Sequence, residues 1–70
     1  MKLSARNQLS GKVVDVKKGA VAAQVRVDIG GGKLLTSMIT VDAVEDLGIK
    51  AGDSVAVVIK STEVMLATEG

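Results

Sequence analysis

The chain has 70 residues, of which 47% are hydrophobic, and nine basic against eight acidic side chains leave a net charge of +1. Cysteine, histidine and the aromatic residues are all absent, which excludes disulfides, thiolate or imidazole metal sites and a histidine general base. Residues 1–70 are enough for one domain, but a core this small is rarely stable without further support. Because no disulfide or metal site can provide that support, we expect a homo-oligomer.

The first two predicted strands lie on either side of a turn at Gly19. Between Gly11 and Val14 the apolar residues switch from odd to even positions, a change of parity that reverses the inward face of the strand. This predicts a first strand that is bulged and strongly curved. From Ala20 to Ile29 apolar and polar residues alternate, as is typical of a strand with one buried face. The predicted buried face of this second strand consists of Val21, Ala23, Val25, Val27 and Ile29.

A glycine turn at residues 30–32 leads into a third predicted strand, from Lys33 to Thr40. This strand has apolar side chains on both faces. They are Leu34 and Met38 on one face and Leu35 and Ile39 on the other. Because only one face can meet the core of its own chain, we expect the other face to contact a partner chain.

A short helix is predicted directly after the third strand. Thr40 is a suitable N-cap, acidic residues occupy the first turns, and Gly48 provides a stop. The apolar positions of this helix are Val41, Val44 and Leu47. Two further strands are predicted after it, from Ser54 to Lys60 and from Glu63 to Ala67.

This order of elements predicts an all-β fold with one short helix between strands 3 and 4. Five short strands with a curved first strand are typical of the OB-like Greek-key barrel, here in an oligomer. A plain five-stranded meander with a helical insertion would show the same periodicities. No apolar run approaches the ~20 residues that span a bilayer, and the first six residues lack a secretory signal, so we expect a cytoplasmic protein without a membrane partner.

Two polar strings bracket the predicted strands, SARNQ at residues 4–8 and IKST at residues 59–62. They supply a guanidinium, an ammonium, hydroxyls and backbone N–H groups, which are the donors that a small tetrahedral oxyanion requires. Judged alone, Arg6, Lys60 and Ser61 are more typical of a solvated surface than of a ligand site. Thr40 alone is most simply a helix cap, and Asn7 and Gln8 could equally bind backbone groups at the start of the first strand.

Three segments together carry a resemblance to a known family. They are SARNQLSGKV at residues 4–13, ITVDAV at 39–44 and VIKSTEV at 58–64. These segments resemble the molbindins, small molybdate-binding proteins once called molybdenum-pterin-binding proteins, and the resemblance covers essentially the whole chain. It implies the five-stranded barrel, a homohexamer built as a trimer of dimers, and oxyanion sites between subunits.

The resemblance also implies the residues that would hold molybdate or the similar tungstate, with no organic cofactor and no metal ion held directly by side chains. Arg6 and Lys60 would offset the two negative charges, and Thr40 would be contributed by a neighbouring subunit. Relatives commonly have a serine at the position of Ala43, where this chain retains only the backbone N–H. The complete implied set is Ser4, Ala5, Arg6, Asn7, Thr40, Ala43, Lys60 and Ser61.

The predicted function is therefore intracellular binding and storage of molybdate for molybdenum homeostasis and cofactor supply, without enzymatic activity. The main alternative is an oligonucleotide-binding OB module, but such modules stack bases on aromatic side chains over a basic groove, and this chain has neither. We therefore expect no nucleic-acid partner. A serine with Lys60 could in principle act as nucleophile and base, although nothing in the sequence supports an enzyme. A purely structural subunit would need no ligand.

Overall fold

In residues 2–70, which the computed structural model describes, the chain forms four strands, one α-helix and one short 3-10 helix. In chain order they are β1 (Asn7–Lys18), β2 (Ala22–Gly30), β3 (Lys33–Thr40), α1 (Val41–Leu47), β4 (Ser54–Ile59) and the 3-10 helix Ser61–Glu63. The four strands make one antiparallel sheet in the order β3-β2-β1-β4. The long strand β1 pairs with β4 through its first half and with β2 through its second half, and Lys12 is paired on both sides.

A β-bulge interrupts β1, as the change of parity predicted. The register with β2 shifts between Val13 and Asp15, and Val14 is left exposed between them. Directly after the bulge, Nε of Arg26 on β2 lies 3.1 Å from both carboxylate oxygens of Asp15, and its Nη2 also bonds that carboxylate. This hydrogen bonding from Arg26 lowers the pKa of Asp15.

The core is small and aliphatic. The buried side chains are Val13, Ala23, Val25, Val27 and Val44. The middle of the predicted buried face of β2 is confirmed, whereas Val21 lies before the strand and is exposed. The two faces of β3 also differ as predicted, because Leu35 and Ile39 are half-buried while Leu34 and Met38 are exposed. What covers this exposed face of β3 stays a prediction.

The helix α1 begins and ends where its capping residues predict. The hydroxyl of Thr40 accepts the N–H of Ala43 at 3.0 Å, and Gly48 adopts a left-handed φ of 66°, which terminates the helix at low steric cost. Val44 is the buried residue of α1 and joins the helix to the core.

The predicted fifth strand, from Glu63 to Ala67, is wrong for this chain on its own. After the 3-10 helix the backbone forms no strand, and Met65 and Leu66 are 91% and 92% exposed. In residues 2–70 the sheet is therefore open and four-stranded rather than a five-stranded barrel. The alternation of apolar residues in this segment predicted an extended backbone, but a strand also needs a neighbouring edge, and the segment pairs with none in the described part of its own chain.

Gly11 lies where β1 and β2 approach each other too closely for a side chain. A Cβ at this position would overlap Cγ1 of Val27 and lie 2.9 Å from the carbonyl oxygen of Asp28. Because a backbone carbonyl in a sheet cannot swing aside, we expect Gly11→Ala to lower the free energy of unfolding by about 1–3 kcal/mol. Denaturant unfolding at a fixed chain concentration measures this, with Ser10→Ala as the control. An unchanged unfolding midpoint for Gly11→Ala would contradict the close approach.

Candidate functional site

The two polar strings meet at one end of the β1–β4 pair. Asn7, the first residue of β1, pairs with Ile59, the last residue of β4, although the two are 52 positions apart in the chain. Arg6 and Lys60 each lie one residue beyond this pair, so continuing the strand register places the two residues opposite each other at the ends of β1 and β4. Both side chains are exposed.

These two cations are not neutralised by a carboxylate within the described part of the chain. The ion pairs formed by residues 2–70 join Arg26 to Asp15 and Lys50 to Asp53, and neither involves Arg6 or Lys60. This end of the β1–β4 pair therefore presents two adjacent positive charges to solvent, an arrangement that suits an anion.

A side-chain amide binds the backbone carbonyl that precedes each of these cations. Nδ2 of Asn7 donates to the carbonyl oxygen of Ile59 at 3.3 Å, and Nε2 of Gln8 donates to that of Ala5 at 3.0 Å. These bonds confirm the alternative that Asn7 and Gln8 bind backbone groups at the start of the first strand, although sequence reasoning gave Gln8 no part in the site. Its spacing of three residues from Ala5, which is typical of local side-chain-to-backbone bonds, is the signal that indicates it.

The remaining members of the two strings lie beside the cations. Ser4 occupies a bend two residues before Arg6, and Ser61 begins the 3-10 helix directly after Lys60. Both serines are exposed, and Ala5, which follows Ser4 in the chain, is half-buried. The structure thus brings together, at one end of the sheet, the predicted site residues Ser4, Ala5, Arg6, Asn7, Lys60 and Ser61.

Thr40 forms a second polar group, at the start of α1. Its hydroxyl oxygen accepts the N–H of Ala43, which leaves the hydroxyl hydrogen able to donate to another group. The Ala43 N–H therefore already has a partner within the chain. The N–H of Val41 is also occupied, because it donates to the carbonyl of Val21 at 2.7 Å.

Within one chain, Thr40 lies at the opposite end of the sheet from the polar strings. Thr40 pairs with Ala22 at the start of β2, and the next residue of β2, Ala23, pairs with Lys18 at the end of β1. The polar strings adjoin Asn7, at the beginning of the same strand β1. One chain therefore holds two separate groups of predicted site residues and does not bring them together.

Large apolar side chains are exposed around both groups. Val21 and Met38, which flank Thr40, are 74% and 66% exposed. Leu3 and Val58 are exposed beside the polar strings. A groove of about 190 Å³ also opens between β2, β3, β4 and the end of α1, where Leu47 and Ile49 contribute to a lining that is almost entirely aliphatic. Such a concentration of exposed apolar surface in a chain of 70 residues is typical of surfaces that contact other proteins.

Neither a metal-binding cluster nor a membrane-spanning helix is found among the described residues. Residues 2–70 contain no group of three or more histidine, cysteine, aspartate or glutamate side chains placed to hold a metal ion. Among the helical segments of the same residues, none has the length and apolar character needed to cross a lipid bilayer.

Comparison with known proteins gives the family. Residues 3–66 match the TOBE domain family, and the chain is 58% identical over 66 residues to molybdenum-pterin-binding protein 3 of Clostridium pasteurianum. That match covers 94% of this chain and 97% of the relative. The chain belongs to the molybdenum-pterin-binding protein family.

Solved structures of similar proteins agree with this membership. A molybdate binding protein from Sporomusa ovata is 38% identical, with a TM-score of 0.91 over 97% of this chain and 100% of that one. The cytoplasmic molybdate-binding protein ModG, in a crystal form with molybdate bound, is 48% identical, with a TM-score of 0.83 over 87% of this chain and 43% of that one. The mostly-β fold with a short helix is therefore that of the molybdenum-pterin-binding proteins.

Proposed function

We propose that this protein binds molybdate between copies of its own chain and serves as a cytoplasmic store of molybdenum for cofactor supply. The observation that carries the proposal is the pairing of Asn7 with Ile59, because it makes neighbours of Arg6 and Lys60, two cations without a carboxylate partner in residues 2–70. Similarity to a molybdate binding protein and to a cytoplasmic protein with molybdate bound supports the choice of anion and of compartment.

The donors at this end of the sheet match the chemistry of molybdate. Molybdate is a tetrahedral dianion whose oxygens only accept hydrogen bonds, so its site requires donors and positive charge. The guanidinium of Arg6 and the ammonium of Lys60 supply charge-assisted bonds. The hydroxyls of Ser4 and Ser61 and backbone N–H groups near Ala5 and Asn7 supply neutral donors. Tungstate has the same shape and charge, so we expect it to bind as well.

The second half of the site is proposed to come from a neighbouring copy. Thr40 lies at the far end of the sheet with Ala43, whose N–H its hydroxyl oxygen binds, so this pair can join the polar strings only if another chain presents its own α1. The exposed Val21 and Met38 around Thr40 support such a contact, because burying them against a second copy removes apolar surface from water. We propose a homohexamer, a trimer of dimers, as the resemblance to molbindins implies.

The closed five-stranded barrel is proposed to form only in this oligomer. The open edges of β3 and β4 flank the aliphatic groove, and the apolar residues Val64, Met65 and Leu66 are exposed in the same chain. The aliphatic groove offers a surface against which the exposed apolar residues 64–66 of another copy could be buried. We therefore propose that residues 63–67 of one copy pair as the fifth strand between β3 and β4 of another.

The role is binding rather than catalysis. The donor set offers no general base or nucleophile beyond a serine beside Lys60, and an oxyanion can be held and released without any covalent step. The proposed partners are therefore molybdate or tungstate and further copies of the chain, with residues 1–70 acting as one molybdate-binding domain.

Isothermal titration calorimetry tests this function. We expect molybdate and tungstate to release or absorb measurable heat at micromolar protein. Sulfate should bind more weakly, because its S–O bonds are shorter and its oxygens would lie too far from donors placed for a larger anion. Size-exclusion chromatography with light scattering, with and without molybdate, reports the oligomer in the same samples. No heat with either molybdate or tungstate would refute the proposed function.

A further inference from the structure

We propose that the side-chain amides of Asn7 and Gln8 position the oxyanion site by holding two backbone carbonyls away from the anion. This inference rests on the proposed function, because it concerns the shape of that same site. It assigns a role to Gln8 and a second role to Asn7, whose side chain acts separately from its backbone N–H.

The two hydrogen bonds from side-chain amides occupy equivalent positions in the two polar strings. The carbonyl of Ala5 immediately precedes Arg6, and the carbonyl of Ile59 immediately precedes Lys60. Gln8 binds the first of these carbonyls at 3.0 Å and Asn7 binds the second at 3.3 Å. Consecutive residues of β1 thus each occupy the one backbone acceptor that lies directly before a cation of the site.

A free backbone carbonyl beside the anion would weaken binding. A carbonyl oxygen carries partial negative charge and has no hydrogen to give, so near a dianion it repels the ligand and cannot be satisfied by it. When an amide N–H binds that carbonyl, one of its two lone pairs is occupied and the carbonyl keeps a defined direction. The amides therefore hold two acceptors in place beside a cage that must consist of donors.

The same bonds also set the direction of two backbone donors. In a trans peptide the C=O and the following N–H point to opposite sides of the peptide plane. Because Gln8 fixes the Ala5 carbonyl, the N–H of Arg6 faces the opposite side, and Asn7 fixes the N–H of Lys60 in the same way. Each amide thus fixes the direction of one peptide unit beside a cation of the site, with its carbonyl bound and its N–H on the opposite side.

The bond from Gln8 contributes little to folding, which makes its role in binding separable. Gln8 is exposed, and an exposed hydrogen bond exchanges with water at small net gain. Holding residues 4–6 in one conformation before the anion arrives lowers the ordering cost of binding. Loss of Gln8 should therefore weaken ligand binding and leave the stability of the ligand-free protein unchanged.

The test compares Gln8→Leu, which keeps the size of the side chain and removes both amide donors, with the unmodified protein. We expect molybdate affinity to fall roughly threefold to tenfold, mainly through faster dissociation. The ratio of molybdate to sulfate affinity should fall too, because a looser cage can close around the smaller anion. Ser10→Ala, on the same face of β1, is the control and should match the unmodified protein. Asn7→Leu is the second variant and should act in the same direction.

The outcomes separate this inference from the proposed function. If the unmodified protein binds no molybdate, the proposed function fails and the inference fails with it. If the unmodified protein binds molybdate and Gln8→Leu binds it with equal affinity and equal selectivity over sulfate, only the inference is overturned. A melting temperature of ligand-free Gln8→Leu lowered in proportion to the loss of affinity would show a structural role and overturn it as well.

Discussion

Replacing Arg6 and Lys60 together by alanine is expected to abolish molybdate binding while the oligomer remains intact. Each side chain offers charge-assisted hydrogen bonds to a dianion, and losing two such partners reduces affinity on the order of 10²–10⁴-fold. Both side chains are exposed at the end of the β1–β4 pair and neither belongs to the core, so the fold should tolerate the change. Calorimetric titration measures the affinity, and light scattering measures the assembly.

The matched control for this double variant is Lys33→Ala with Lys50→Ala. It removes the same two positive charges from exposed positions, one at the start of β3 and one between α1 and β4. A loss of binding caused merely by lower net charge would appear equally in both double variants. Unchanged molybdate affinity in the Arg6 and Lys60 variant would show that the anion binds at another part of the molecule.

Deleting residues 64–70 is expected to dissociate the oligomer and to remove molybdate binding with it. The deleted segment contains Val64, Met65 and Leu66, and burying an apolar side chain of this size contributes about 1.5–3 kcal/mol. Among residues 2–70, none of the buried core residues lies beyond Val44, so the shortened chain should keep its sheet. Light scattering and circular dichroism of the shortened chain measure the two effects separately.

A shorter deletion, of residues 68–70 alone, is the control for this experiment. It removes the end of the chain and keeps the three apolar residues that we propose to fill the groove of another copy. The shorter deletion should keep both assembly and binding. If the chain without residues 64–70 still forms the same oligomer and binds molybdate as before, the apolar segment is not the fifth strand.

Much of the fold was predictable because its signals are local. Thr40 and Gly48 mark the ends of α1 through capping bonds to residues within one or two turns, and the observed helix has those ends. The bulge in β1 was visible as a change of parity, since alternation reports directly which face of a strand is buried. The glycine turn at residues 30–32 likewise contains the positive φ angles that only glycine adopts easily.

The site was predictable only in part. The residue types of both polar strings are compatible with an anion, but the resemblance to the molbindins was needed to identify them as an oxyanion site. Their proximity, however, depends on Asn7 meeting Ile59 across 52 positions, and no local pattern encodes that pairing. The sequence allowed Asn7 and Gln8 to bind backbone groups at the start of the first strand, and both side chains do so. It gave Gln8 no part in the site, because a glutamine in a strand has several equivalent partners in sequence.

By itself, the sequence determined the helix, the bulge and the faces of the strands, since each of these follows from neighbouring residues, and its resemblance to a known family indicated the ligand. Tertiary structure decided that Arg6 and Lys60 are neighbours, that Thr40 lies at the far end of the sheet, and that residues 63–67 form no strand in their own chain. The physical reason is that strand pairing is non-local: an extended apolar segment specifies its own backbone conformation but not the edge against which it will lie.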